Sequence, residues 1–119
     1  MRIIEKIVRS VRIACVGLLH AYRADESFRL EILLGIPVYA VLGYFLSPLS
    51  MSECFWFAFS YGFILVVELL NTSIEVMLER LHPEEHELIG RSKDIASAAV
   101  LLTFLFALFV IVHLFLARM

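Results

Sequence analysis

The hydrophobic pattern divides the chain into one striped segment and three continuous apolar ones. In residues 1–30, Ile3, Ile4, Ile7, Val8, Val11, Ala14, Cys15 and Leu18 recur at steps of 3 and 4, while Lys6, Arg9 and Arg12 fall mostly on the other side. That spacing predicts an amphipathic helix with a wide apolar stripe. A helix of this kind lies in a membrane interface, its cations near anionic headgroups; the plainer reading is a solvated helix packed on its neighbours. Residues 32–49, 54–78 and 95–117 read as spans, because each is long enough at about 1.5 Å per residue and almost free of charge. Ser47-Pro48-Leu49-Ser50 marks the turn between the first two.

Composition supports this division. Of 119 residues, 61% are hydrophobic and only 18% charged, against about 45–50% and about 25% in soluble domains. A chain this short cannot bury so much apolar surface in a core of its own. Five Gly and two Cys exclude collagen-like and disulfide-scaffold classes, and a net charge of −2 gives no basic field for nucleic acid. Repeats and flexible linkers are absent, so residues 1–119 form a single membrane domain. With no signal-peptide core near the start, the N-terminus is expected to stay on the mature protein.

Orientation follows from the basic residues. Arg2, Lys6, Arg9, Arg12, Arg23 and Arg29 precede the first span, and Arg80, Arg91 and Lys93 lie between the second and third. The 47–53 turn has none, so the N-terminus and the 79–94 loop are expected in the cytoplasm. Cys15 and Cys54 then fall near opposite faces, as small apolar fillers rather than a disulfide.

The candidate chemistry lies in the second span. Glu68, Asn71 and Glu75 share a stripe about 60° wide at about 100° per residue, with Thr72 beside it. Carboxylates inside a bilayer are costly and by default mark a functional site; the plainer alternative is a polar seam between helices. Beyond the loop, Gly90-Arg91-Ser92-Lys93-Asp94 leads into the third span, placing Lys93 and Asp94 at an expected helix N-terminus whose free N–H groups suit phosphate oxygens. Asp94 alone reads as a cap. Carboxylates for Mg²⁺, cations for phosphates and a Glu to take a hydroxyl proton are the parts of a phosphoryl-transfer site. No Walker loop or protein-kinase motif is present. His82 and His86 stand four apart without a third ligand, which argues against zinc, and His113 reads as a packing or interfacial residue.

Glu68-Leu69-Leu70-Asn71-Thr72-Ser73-Ile74-Glu75, His86-Glu87-Leu88-Ile89-Gly90-Arg91-Ser92-Lys93-Asp94 and Ser97-Ala98-Ala99-Val100 together closely resemble the signature of the small prokaryotic integral-membrane diacylglycerol kinases. The resemblance covers nearly the whole chain. It implies an all-α membrane protein, with an N-terminal amphipathic surface helix and three transmembrane helices in a homotrimeric bundle whose sites are shared between protomers. It also implies an inner-membrane lipid kinase of phospholipid metabolism. Such an enzyme moves the γ-phosphate of Mg-ATP to diacylglycerol, giving phosphatidic acid, or to undecaprenol in a sister branch. The Phe28-Arg29-x-Glu31 and Gly90-Arg91 stretches look more like the diacylglycerol branch.

Carried over by position, the resemblance makes Glu68 the general base and Asn71 an essential polar partner. Glu75 becomes a metal ligand that also meets ATP, and Glu84, Glu85, His86, Lys93 and Asp94 become nucleotide contacts. A family metal-binding Glu three residues before a Phe falls here on Asp25, one methylene shorter, with Glu26 as the adjacent alternative. Asp25 thereby joins the ATP contacts. An N-terminal Arg of the family that contacts both lipid and nucleotide falls on Lys6, which thereby joins the ATP contacts, with Arg9 one turn away; a pocket Tyr falls on Ile13. The lipid would meet Lys6, Arg9, Phe28, Glu31, Glu68 and Ser97. The rival class is a non-catalytic channel or interaction subunit lined by the Glu68, Asn71 and Glu75 stripe.

Overall fold

The computed structural model describes residues 2–81 and 86–119, and all its regular structure is helical: α1 (Arg2–Ala24), α2 (Glu26–Leu46), α3 (Met51–Leu81) and α4 (Glu87–Leu116). The last three are long and apolar enough to cross a membrane. The amphipathic segment does not continue to residue 30 as the periodicity suggests. It stops at Asp25, which takes an extended conformation (φ −108°, ψ 109°) and caps α2, its Oδ1 accepting from the Ser27 N–H at 3.0 Å. Asp is a preferred residue for that position, since its carboxylate satisfies an N–H that the first helical turn leaves free. Arg29 closes the other side of the elbow, Nη1 donating to the carbonyls of Tyr22 and Arg23 at 3.0 and 3.2 Å. Phe28, 1% exposed, fills the inside of the bend.

α3 opens with a reciprocal capping box, in which the Glu53 N–H donates to Ser50 Oγ at 3.1 Å and the Ser50 N–H to Glu53 Oε1 at 3.0 Å. The helices start ahead of the apolar windows, α4 in particular at Glu87 rather than near 95, while α2 ends at Leu46, short of 49, where Ser47 caps it. α3 and α4 form the main packed pair. Ser60, Ile64, Glu68, Asn71 and Thr72 are buried on α3, and Thr103, Ala107, Val110 and Leu114 on α4. Steps of three, four and seven keep each set on one face. At the turn end, Leu46, Val110 and Leu114 form a small core with Leu49, Phe57 and Phe106 against it.

α2 meets α3 through Tyr61, whose hydroxyl donates to the Glu31 carbonyl at 2.7 Å, and through Tyr39, which pairs with Ser60 at 2.9 Å. Gly35 permits this approach, because a Cβ there would stand 2.5 Å from Tyr61 Cε1. Elsewhere the spans turn large side chains outward: Leu34, Phe45, Leu102, Leu108 and Phe109 are all exposed within one chain. That surface needs lipid or further copies of the chain. Both cysteines are free and exposed, and the His113 ring stacks on Phe109 at 6.5 Å.

Arg118 fastens the C-terminus to the α2–α3 turn. Its Nη1 and Nη2 reach Glu53 Oε2 and Oε1 at 2.8 and 3.1 Å, while Nε and Nη2 donate to the carbonyls of Leu46 (2.5 Å) and Pro48 (3.0 Å). The hydrogen bonds to Glu53 raise the already high pKa of Arg118 further, so the clamp stays charged. Arg118→Ala should lower the melting temperature in detergent. Arg118→Lys should restore only part of it, because an ammonium cannot donate in the same fork. Equal melting of all three proteins, followed by circular dichroism, would show that the clamp contributes nothing to stability.

Candidate functional site

The buried polar groups of α3 gather at the end of the bundle away from that clamp. Glu68 is 3% exposed and Asn71 and Thr72 are 7% each, while Glu75 is half-buried one turn on. The elbow delivers Asp25 and α2 delivers Glu31. The Thr72 hydroxyl lies between Asp25 Oδ2, to which it makes a short hydrogen bond, and the Glu68 carbonyl at 2.9 Å. Having one hydrogen, it serves one of them at a time. The Glu68 carboxyl is within hydrogen-bonding reach of both the Asp25 and Glu31 carboxyls. Asn71 Nδ2 reaches Glu75 Oε1 at 3.4 Å.

Four carboxyl groups thus surround one hydroxyl and one amide. Among the described residues no Lys, Arg or His makes a salt bridge with any of them. Like charges this close and this poorly solvated repel unless a cation or a proton lies among them. Two buried oxygens, Glu31 Oε2 and Asn71 Oδ1, have no partner. Buried acceptors left unpaired cost about 1–3 kcal/mol each, so the arrangement suits a hydroxyl donor or a hard cation. Among the described residues no three His, Cys, Asp or Glu side chains stand close enough to hold a metal by themselves. An oxygen-seeking cation held by one or two carboxylates and completed by phosphate and water fits such a set.

The other expected residues divide into two groups. Lys93 faces the site's end of the bundle, Nζ standing 3.9 Å from Glu79 Oε1. It does not lie at a helix N-terminus, and neither does Asp94. Both fall in the second turn of α4, inside its hydrogen-bonded run, so Lys93 can offer its ammonium to an anion but not a free backbone N–H. The N-terminus is capped instead by His86, whose Nδ1 accepts from the Leu88 N–H at 3.1 Å. Arg91 is drawn into an exposed pair with Glu87 at 2.5 Å. Glu26, Asp94 and Ser97 are exposed, and Phe28 is sealed inside the elbow with almost no surface left for lipid. Lys6 and Arg9 lie on the exposed N-terminal half of α1, and within one chain no hydrogen bond or ion pair links them to the carboxyl group. Glu84, Glu85 and His82 fall outside the described residues.

The spacing argument found the Glu68 stripe but not the part played by Thr72, nor the contact between Glu31 and Glu68. Placing the first span at 32 left Glu31 one residue outside it. Once α2 is seen to begin at Glu26, Glu31 becomes an ionisable residue in a membrane helix and so a site candidate.

Comparison with known proteins agrees with this picture. A family model described as prokaryotic diacylglycerol kinase matches residues 12–115. A diacylglycerol kinase of Escherichia coli is 31% identical over 105 residues, covering 86% of this chain and 82% of the relative. That of Haemophilus influenzae is 32% identical over 94 residues, 79% of this chain and 78% of the relative. That of Pseudomonas aeruginosa is 32% identical over 96 residues, with coverage of 81% and 76%.

Proposed function

The chain belongs to the prokaryotic diacylglycerol kinase family, and from that premise we propose that the buried Glu68 cluster carries phosphoryl transfer from ATP to the hydroxyl of diacylglycerol. The products are phosphatidic acid and ADP. The observation that carries the reading is the convergence of Asp25, Glu31, Asn71 and Thr72 on a buried Glu68. Family membership displaces the channel alternative.

Glu68 is the only carboxyl of the group that is both fully buried and at its centre, where the acceptor hydroxyl of a membrane lipid would arrive. Its role is to accept that proton as the oxygen attacks the γ-phosphorus and the bond to the β-phosphate oxygen breaks. Asn71 Oδ1 and Glu31 Oε2, the two unpartnered acceptors, orient hydroxyl groups of the acceptor. Asp25 and Glu75 are the residues that would hold Mg²⁺, which when bound neutralises charge on the transferring phosphates. Glu75 leans toward Asn71, and Lys93 supplies positive charge at the same end of the bundle. Asp94 and His86 extend the nucleotide contacts from α4 and its cap, and Glu84 and Glu85 are assigned to the nucleotide on their sequence positions alone. No covalent intermediate is needed, so positioning and charge compensation account for the catalysis.

We take the assembly to be a homotrimer with shared sites, a reading supported by what one chain leaves undone. The apolar faces of α2–α4 are open, and Lys6, Arg9 and Ser97 stay away from Glu68 within their own chain. A neighbouring copy would cover the former and bring the latter to the lipid headgroup. The carboxylate end faces the cytoplasm, where ATP is found, consistent with the basic N-terminus and second loop.

The test is transfer of γ-labelled phosphate from ATP in detergent–lipid micelles, with diacylglycerol and undecaprenol compared side by side. Phosphatidic acid is the expected product. Product mainly from undecaprenol would keep the site chemistry and replace the acceptor. No product from folded protein with Mg²⁺ would remove the assignment of Glu68 altogether.

A further inference from the structure

α2 holds itself weakly just beyond the residue it brings to the site. Gly35, one turn after Glu31, has no side chain to stiffen the helix, and Pro37 has no N–H to donate to the Leu33 carbonyl. In a membrane helix such a stretch is steadied by groups on a neighbouring helix. α3 supplies one here. The Tyr61 hydroxyl donates to the Glu31 carbonyl at 2.7 Å. Its ring reaches that oxygen only through the notch at Gly35, where a Cβ would meet Cε1, Oη and Cζ at 2.5, 2.8 and 2.9 Å. Tyr39, one turn past Gly35, packs its ring against that of Tyr61, with centroids 4.7 Å apart.

The braced residue carries a functional group. The Glu31 carboxyl lies within hydrogen-bonding reach of Glu68, and its Oε2 is one of the two buried acceptors without a partner. Apart from that contact, α2 and α3 share two hydrogen bonds among the described residues: Tyr61 to Glu31, and Tyr39 with Ser60 at 2.9 Å, about two turns farther along α2. Only the first is at the residue that enters the site. We propose that Tyr61 is a positioning residue: its hydroxyl, seated in the Gly35 notch, fixes the backbone of Glu31 and so the place of the Glu31 carboxyl beside Glu68. Its single hydrogen is engaged by the carbonyl, so it acts through Glu31 rather than on the reacting atoms. Geometry at this depth matters, because a reacting group misplaced by about 1 Å can lower the rate about 10²-fold. The inference rests on the lipid-kinase reading above, in which Glu31 orients the acceptor, and adds the residue that holds Glu31 in place.

Tyr61→Phe removes one oxygen and leaves the ring in its notch. It is expected to lower kcat/KM for dioleoylglycerol several-fold, while the Kd of a fluorescent ATP analogue stays at the wild-type value. Gly35→Ala pushes the ring off the carbonyl and should reproduce the loss, although alanine favours the helix. Tyr39→Phe is the control. It deletes the parallel bond between the same two helices, so it should melt like Tyr61→Phe yet keep wild-type kcat/KM. In a Glu31→Ala background there is no carboxyl left to place, and adding Tyr61→Phe should lower the rate no further. The inference is overturned, with the kinase reading intact, if Tyr61→Phe or Gly35→Ala turns over like wild type. It is equally overturned if Tyr39→Phe is slowed as much, or if Tyr61→Phe loses the same factor without Glu31. If wild-type protein phosphorylates no diacylglycerol at all, the kinase reading itself has failed.

Discussion

Glu68→Gln should lose kcat by about 10²–10⁴-fold, the range that removal of a positioned general base typically produces, while ATP still binds. Gln has nearly the same shape, and its amide can donate to the Asp25 and Glu31 carboxyls that lie within reach of Glu68. Exchanging a carboxylate for an amide also removes like-charge repulsion at the centre of the cluster. Thermal stability is thus expected to hold or to rise as turnover collapses. The pairing of lost rate with kept stability separates a catalytic role from a structural one, because a purely structural residue would lose both. Titrating a fluorescent ATP analogue gives the binding arm, labelled-phosphate transfer gives the rate and a melting curve gives the stability. Turnover equal to wild type would remove Glu68 from the mechanism.

Asp25→Asn should raise the Mg²⁺ concentration needed for half-maximal activity by about 10- to 100-fold, the scale on which weakened metal sites respond, whereas Glu26→Gln should leave it near wild type. The structure makes this a clean comparison. Asp25 points into the cluster, bonded to Thr72, while its neighbour Glu26 is exposed. Asn is as good a helix cap as Asp, so the 3.0 Å bond from the Ser27 N–H and the elbow it starts should survive. What is lost is the charge. A Mg²⁺ requirement moved instead by Glu26→Gln would mean that α2 turns on its axis when nucleotide binds, and Glu26 would replace Asp25 as ligand.

The parts of the protein that were legible in the sequence are those governed by one helix at a time. Three apolar stretches long enough to span a bilayer announce themselves through composition, and the amphipathic start through its steps of three and four. The stripe of Glu68, Asn71 and Glu75 needs only the helical period. What was misread depended on where helices begin. The apolar steps of residues 1–30 run only to Leu18, and the period by itself gives no weight to Asp25-Glu26-Ser27 as a helix start, so it did not place the elbow at Asp25. A carboxylate that caps the next helix and an arginine that caps the last one make the break. Likewise α4 starts at Glu87 under a histidine cap, an uncommon choice, and this puts Lys93 and Asp94 in the second turn of the helix.

The sequence by itself therefore determined the medium, the helices and the carboxylate stripe, because burial of apolar length and helical period are local quantities. The tertiary structure alone decided which side chains complete the site. Asp25 and Glu31 come to Glu68 across 43 and 37 residues of chain, and no periodicity encodes that approach. It rests on the elbow angle, on Gly35 letting Tyr61 lie against α2, and on the packing of α3 against α4. These contacts form only when separate helices dock, and docking is set by the shapes of facing surfaces rather than by the order of residues within either one.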